Sequence, residues 1–473
     1  MSLSTSISNA FSGLTVTAHA AQLVSSNLSN ALNEDYSRRE LEVTSHHQGG
    51  AKFVKTNRFV DHALNSDLRG ARANLGLSNS RTESAIAIEQ SVGLPDNPNS
   101  LTAHLSRFDV SLRYLESDPS SGVRLQETFS TAVALTNKFG AIESDIQKVR
   151  QRTDTQIATT VTALNSKLQQ IVTLNREITA AQINGHETST WLDQRKSLVD
   201  EVSEIVPVRE IRQDHNSISL VSANGMMLLE ANAIQFDFIK TNIIMPHMTI
   251  DSGDLGSLRI GARSVDLSSE SGPLSGGRLQ GLFETRDKLT VDAQHDIDAL
   301  AFNLADRFHD LPSDMTIGAN SPGLFTDGTA RAEIGNVRGL AGRLNANINV
   351  DPSHGGKIWR LRSGLQAPAE SAVGDASLVK DMISALTEAN QNGSLLEKTA
   401  GFVSSLAQSV SESKRINTFS KAHFEQLNTL HLGNGVNTDA ELQKLMQIET
   451  NYAANAKVMQ TIDEMFAAIL RIN

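Results

Sequence analysis

Cysteine is absent from the 473-residue chain, which excludes disulfide staples, thiolate zinc sites, iron–sulfur clusters and cysteine nucleophiles. Proline is scarce: the ten residues at 95, 98, 119, 207, 246, 273, 312, 322, 352 and 368 leave 1–94, 120–206 and 369–473 free of it. Long helices are permitted in those three stretches. Aromatic side chains make up 4% of the sequence, and 53 acidic residues against 42 basic ones give a net charge of −11. Few stacking surfaces and surplus negative charge argue against a nucleic-acid partner. Apolar runs such as Ala467-Ala468-Ile469-Leu470 stop far short of the roughly 20 residues that membrane insertion needs. The first basic side chain is Arg38, so residues 1–37 lack the positive region of a cleaved secretory signal. The length points to roughly two to four domains.

What the chain does have is helical periodicity. Phe139, Ile142, Ile146, Val149, Ile157, Val161, Leu164, Leu168, Ile171, Leu174, Ile178 and Ala181 follow steps of three and four, with Thr153 filling the one gap. That rhythm is a coiled-coil seam of about six heptads. It predicts a helix from near Leu125 to Ile183, roughly 90 Å long, and an elongated molecule. Leu406, Val410, Phe424 and Leu427 precede Gly433-Asn434-Gly435, and Leu445, Ile448, Tyr452, Met459, Ile462, Phe466 and Ile469 follow it, predicting two helices about a glycine hinge. A weaker stripe runs through Ile7, Leu14, Ala21 and Leu28, with Phe11, Ala18 and Val24 beside it. Its other face is Ser, Thr, Asn and Gln, so this helix needs a partner to order it. That partner is the C-terminal helix, or copies of both ends from neighbouring subunits.

Between Pro207 and Pro273 the period changes to two. Residues 217–221 and 226–229 flank an Asn224-Gly225 turn and read as a hairpin, with a third strand over 233–239. Helical rhythm returns at Leu279, Leu282, Phe283, Leu289, Ala293, Ile297, Leu300, Leu304 and Phe308. Short strands are expected around 344–350 and 358–361. The fold class is mainly α with a β-rich insert, and the out-and-back plan brings both termini to one end of a rod.

No nucleotide fingerprint or nucleophile elbow is present, and Ser275-Gly276-Gly277-Arg278-Leu279 reads as a helix-entry loop. His46 and His47 are adjacent, so on a strand they face opposite ways and cannot share a metal. Asp292, His295 and Asp296, with Asp306 and His309 further on, have the helical spacing of a carboxylate and imidazole site, but that spacing is also that of a solvated helix face. The expectation is a non-enzymatic protein with no catalytic residue, no metal and no cofactor.

Ser26-Asn27-Leu28-Ser29-Asn30 followed by Asp35-Tyr36-Ser37-Arg38-Arg39 resembles the N-terminal signature of bacterial flagellar rod, hook and hook-associated proteins. Gly435-Val436-Asn437-Thr438-Asp439-Ala440-Glu441-Leu442 and Gln447-Ile448-Glu449-Thr450-Asn451-Tyr452-Ala453-Ala454-Asn455-Ala456-Lys457-Val458 resemble the C-terminal signature of the same group. Three internal segments, 192–202, 275–287 and 301–308, narrow the resemblance to the hook-associated protein 1 family, the hook–filament junction proteins. In one departure, Asp35 stands where that family usually has glycine before the tyrosine.

The resemblance implies an elongated, flagellin-like plan. Residues 1–60 with 430–473 form a coiled-coil inner assembly domain, disordered before assembly. Residues 61–206 with 275–310 and 366–429 form a helical middle domain, 207–274 an outer β domain, and 311–365 an irregular segment with short strands. It further implies passage through the flagellar type III export apparatus without signal cleavage, a cytoplasmic export chaperone bound to the C-terminal region, and a place in the extracellular flagellum. There the chain assembles with itself in a ring or tube, with the hook protein, and with the second hook-associated junction protein. The assembly residues expected on the terminal helices are Ile7, Phe11, Leu14, Ala21, Leu28, Leu445, Ile448, Met459, Ile462, Phe466 and Ile469. Asn27, Asn30, Tyr36, Asn451, Tyr452 and Asn455 are expected to fix polar contacts between helices.

Overall fold

The computed structural model describes residues 3–45, 49–267, 271–389 and 393–471. Its helices are α1 (Leu3–Ser29), α2 (His62–Val92), α3 (Leu101–Ser117), α4 (Gly122–Ile183), α5 (Ser189–Ile205), α6 (Gly277–Glu284), α7 (Thr290–Arg307), α8 (Leu340–Arg343), α9 (Arg360–Ser363), α10 (Ser377–Thr387), α11 (Leu395–Gly433) and α12 (Thr438–Leu470). Its strands are β1 (Arg39–Ser45), β2 (Ala51–Arg58), β3 (Val208–Arg212), β4 (Ile218–Ser222), β5 (Met227–Leu229), β6 (Arg259–Ile260), β7 (Arg263–Ser264), β8 (Phe325–Asp327) and β9 (Leu344–Ala346). All pair antiparallel in small sheets, the largest being β3-β4-β5. The chain is therefore mostly helical.

It divides into two compact units. Unit 1 comprises Met1–Asn74, Leu164–Ile234 and Ser420–Asn473; unit 2 comprises Leu75–Ala163 and Gln235–Phe419. The boundaries fall inside α2, α4 and α11 rather than at the points expected from the sequence. The seam of α4 explains this, since Phe139, Ile142 and Ile146 join the core of unit 2, whereas Leu164, Leu168, Ile171 and Ile178 are buried in unit 1. The stretch 207–274 is divided as well: β3-β4-β5 belongs to unit 1 and the residues after 234 belong to unit 2.

In unit 1, β1 and β2 form a hairpin against α1, where the His19 and Phe53 rings stack with centroids 5.1 Å apart. Sequence reasoning missed this hairpin although Leu41 and Val43 alternate with charged residues. The Asn224-Gly225 turn joins β4 and β5 as expected, with Gly225 at φ +91°. The third strand expected over 233–239 is a correction: only single bridges form there, Ala233 with Leu229 and Asp237 with Arg259. The partner that β4 finds on its other edge is β3, which lies before it in the chain.

Unit 2 has one contiguous apolar core drawn from the end of α2 and from α3, α4, α7, α8, α10 and the start of α11. Phe108, Phe308 and Phe325 meet at its centre with ring centroids 5.0–5.7 Å apart, a geometry that adds attraction beyond area burial. Gly281 is required where α6 meets α2, because a Cβ there would lie 2.8 Å from Ser80 Cβ and 3.0 Å from Leu77 O. The glycines 276 and 277, both at positive φ, enter α6 as a helix-entry loop. A strand was expected near 358–361, but 360–363 form the helical turn α9; one apolar alternation in four residues cannot separate the two periods.

The gap in the α4 seam is charged. Asp154 Oδ1 and Arg286 Nη1 pair at 2.6 Å with both side chains fully buried. Arg286 also holds Asp287 at 2.8 Å, and its guanidinium lies over the Phe283 ring, 4.9 Å from the centroid. Arg150, 2% exposed, donates to the carbonyls of Arg286 (3.0 Å) and Met248 (2.7 Å). Residues Thr285–Leu289 form one turn of π-helix between α6 and α7, so Arg286 reaches Asp154 from an irregular turn. Asp154→Asn is expected to cost about 3–5 kcal/mol, since it leaves two buried guanidinium groups without that charge. Asp292→Asn on the exposed face of α7 is expected to stay within about 0.5 kcal/mol of wild type. Urea unfolding of the two variants checks both values.

Candidate assembly interface

α1 packs against α12, one of the two partners expected for it. The inner seam of α1 is made of small side chains: Ala10, Thr17 and Val24 are buried at steps of seven, between the half-buried Ile7, Leu14, Ala21 and Leu28. On α12, Leu445, Ile448, Asn455 and Met459 are half-buried and Ile462 is buried. Gly13 faces Asn455, and a Cβ there would lie 2.7 Å from Asn455 Nδ2.

Asn27 is the second fixed point. It is fully buried, and its Oδ1 accepts from the Tyr36 hydroxyl (2.8 Å) and from the Arg39 N–H (3.1 Å). Its Nδ2 donates to Arg39 O (2.9 Å) and to Glu441 Oε2 (3.1 Å). Both lone-pair directions and both N–H groups are thus used. Glu441, 1% exposed, receives Lys444 Nζ at 2.9 Å as well. The step from 13 to 27 along α1 and the step from 455 back to 441 along α12 are both 14 residues, since 27 − 13 = 455 − 441. Two heptads separate the fixed points on each helix, and the pair is antiparallel.

The turn after α1 is held from α5. Asp193 accepts from Ser37 N (3.3 Å), Arg39 Nη2 (3.3 Å) and Arg58 Nε (3.1 Å). Asp200 pairs with Arg69 (2.5 Å) and Lys196 (3.0 Å). Desolvation works against its charged form, but the Arg69 and Lys196 charges prevail and hold its pKa below the ordinary carboxylate value. Asp35 needs no glycine in this turn. The only non-glycine residues at positive φ among those described are His215 and Asn216, and Asn33 Oδ1 caps the Asp35 N–H at 3.2 Å.

Other expected interface residues face outward in the single chain. Phe11 is 64% exposed, Tyr452 51% and Phe466 39%, and Asn451 is exposed. The Asn30 side chain bonds back to α1, to Ser26 O at 2.9 Å. The Ile469 side chain lies outside the described residues, as do His46 and His47. Gly13, Glu441 and Asp193 were missed by sequence reasoning; for Gly13 the signal was a glycine inside an otherwise glycine-free helix. Among the described residues no group of three metal-ligating side chains converges. Asp292, His295, Asp296 and Asp306 are exposed on α7 and its end, and His309 is half-buried. No described helix is long and apolar enough to cross a membrane.

A cavity of about 300 Å³ lies where the two terminal signatures meet, lined among others by Asn30, Tyr36, Lys196, His431 and Val436. Burial lowers the pKa of His431; Lys196 and Arg72 lower it further, and Asp200 and Asp35 oppose them.

These signatures are similar to those of axial proteins of the bacterial flagellum. The family model described as "Flagellar basal body rod FlgEFG protein C-terminal" matches residues 433–472, and that described as "Flagellar hook-associated protein FlgK helical domain" matches 88–315. The chain is 22% identical to flagellar hook-associated protein 1 of Bacillus subtilis over 95% of this chain and 94% of that one. It is 24% identical to the Escherichia coli protein of the same name, over 99% of this chain and all of the other. Over nearly its whole length the chain is thus similar to the FlgK family of hook-associated proteins. The alignment with the E. coli protein runs over 553 positions, so that protein carries insertions relative to this chain. The flagellar hook junction protein FlgK of Burkholderia pseudomallei is similar over 56% of this chain and 47% of its own, at 20% identity and a TM-score of 0.46.

Asn27→Leu is expected to destabilise the terminal pair by about 2–4 kcal/mol, because it removes the partner of the Tyr36 hydroxyl, the Arg39 amide and Glu441 Oε2; faster hydrogen exchange in α1 and α12 of the variant than of the wild type, with α3 unchanged, would register it. Because the folded pKa of His431 lies below its unfolded value, acid favours the unfolded chain, and this contribution to stability falls as pH drops below about 6.5. Unit 1 is expected to melt at a lower temperature at pH 5.5 than at 7.5, and His431→Gln to reduce that difference.

Proposed function

We propose that this chain is a structural subunit of the hook–filament junction of the bacterial flagellum, assembling at the hook tip as the adaptor on which the filament grows. The observation that carries this reading is the match over nearly the whole length to hook-associated protein 1 of two bacteria, with a hook-associated helical domain and an axial C-terminus in the expected order. The axial C-terminus alone would also suit a rod or hook subunit; the FlgK helical domain favours the junction protein. The reading assigns the chain no catalysis and no cofactor.

In this reading the terminal helices, residues 1–60 with 430–473, are the assembly domain and find their final partners in other copies. Three features support it. The inner seam of α1 is shallow, so the pair is weakly held; α1 is rich in Ser, Thr and Asn and has poor intrinsic helicity; and the large apolar groups Phe11, Tyr452, Met465 and Phe466 are left exposed. A chain end that orders only on packing suits passage through a narrow type III channel, with a chaperone on the C-terminal region in the cytoplasm. The hook protein and the second junction protein are its axial neighbours.

Tyr452→Asp is expected to leave the circular dichroism of the monomer unchanged, because the side chain is half exposed, and to abolish incorporation at the hook. Normal filaments on cells carrying only this variant would defeat the proposal. Limited proteolysis of the monomer is expected to remove about 1–60 and 430–473 before cutting the remainder.

A further inference from the structure

Unit 1 contains a second cavity of about 750 Å³, bordered by β2, the start of α2, the turn after α4, α5 and β3. Lys55, Arg58, Arg69, Arg195, Lys196 and Arg212 line it, against the acids Glu187 and Glu210. Arg58 is held by Asp193, Arg69 by Asp200 and Glu210, and Lys196 by Asp200. Among the described residues no carboxylate comes within ion-pairing distance of Arg195 or Arg212. Arg195 is 8% exposed, and its Nη1 donates only to neutral oxygens, Asn175 Oδ1 at 2.8 Å and Asn216 O at 2.6 Å. Burial, then the nearby Arg58 and Arg69 charges, bring its pKa down to about 10, with Glu210 opposing. A buried cation with no carboxylate in direct contact is costly, and this one stands in a cavity where basic side chains outnumber acids, in a chain whose net charge is −11.

The rest of the lining is suited to hydroxyl groups. Asn57, Gln182, Gln213, Thr56 and Thr188 border the space. Asn65, 7% exposed, also lines it, and its buried Oδ1 has no hydrogen-bond partner. Two arginines without an ion-paired acid call for a carboxylate, which the planar guanidinium fork grips in two-point fashion. An orphaned amide oxygen calls for a donor, and a concave site walled by amide and hydroxyl side chains suits a hydroxylated ligand better than an apolar one. We propose that this cavity binds an acidic saccharide, a uronic-acid glycan whose carboxylate sits on Arg195 and Arg212 while a ring hydroxyl donates to Asn65 Oδ1. The cavity shares β2 with the assembly domain, but Asn65, Arg195 and Arg212, which carry the ligand, lie outside residues 1–60.

The test is calorimetric titration of the full chain with trigalacturonate, maltotriose and inorganic phosphate in parallel. Trigalacturonate is expected to bind saturably with a Kd below about 1 mM, and at least about tenfold more tightly than either of the others, because only it offers both charge and hydroxyls. Trp191, next to Leu192 on the cavity wall, provides an independent fluorescence signal. Arg195→Lys keeps the charge and removes the fork; it is expected to weaken binding about tenfold. Should Arg195→Lys not fold, Arg212→Gln decides, since Arg212 is exposed; it is expected to weaken binding at least about fivefold with the unfolding midpoint unchanged. Absence of saturable binding, equal affinity for maltotriose or phosphate, or wild-type affinity in Arg212→Gln overturns the proposal.

Discussion

Unit 1 depends on one buried carboxamide. Asn27 joins the end of the first helix, the turn at Tyr36, the start of β1 and the C-terminal helix through Glu441. A buried amide is favourable only when every donor and acceptor is matched, so each of these four segments has one position relative to the others. That requirement links residues separated by 414 positions in sequence.

The segments by which the chain resembles its family have a shared physical role: they hold backbone in place. Asp193 secures the turn after α1, Gly281 admits α2 against α6, and Arg286 closes the charged gap in α4. None of the three completes a catalytic constellation. All three act by fixing neighbouring backbone segments relative to one another.

Much of the helical framework was legible because helical periodicity is long and redundant. The seam from Phe139 to Ala181 predicted α4 within three residues at its start, and the Gly433-Asn434-Gly435 hinge separates α11 from α12 as read. The short strands were less legible. Ile234, Phe236 and Phe238 alternate as a strand should, yet the edge they would have joined bears only one bridge, Ala233 with Leu229. Polar nodes were hidden for another reason: Asp154 and Arg286 are 132 positions apart, and Thr153 filled the heptad gap on paper while its neighbour carried the charge. Asn27 and Tyr36 stood out by resemblance to the family, but Glu441, which bonds the first of them, looked like an ordinary acid in the first turn of a helix.

The contact between Gly13 and Asn455 has a mechanical consequence. Sliding α1 by one heptad would bring Ser6 or Ala20 opposite the Asn455 carboxamide, and each carries a Cβ from which that carboxamide would have to turn away. Asn455 therefore marks one register of the pair, while a seam of alanine, threonine and valine offers little resistance to peeling. A joint of that kind keeps its register and still opens from its end.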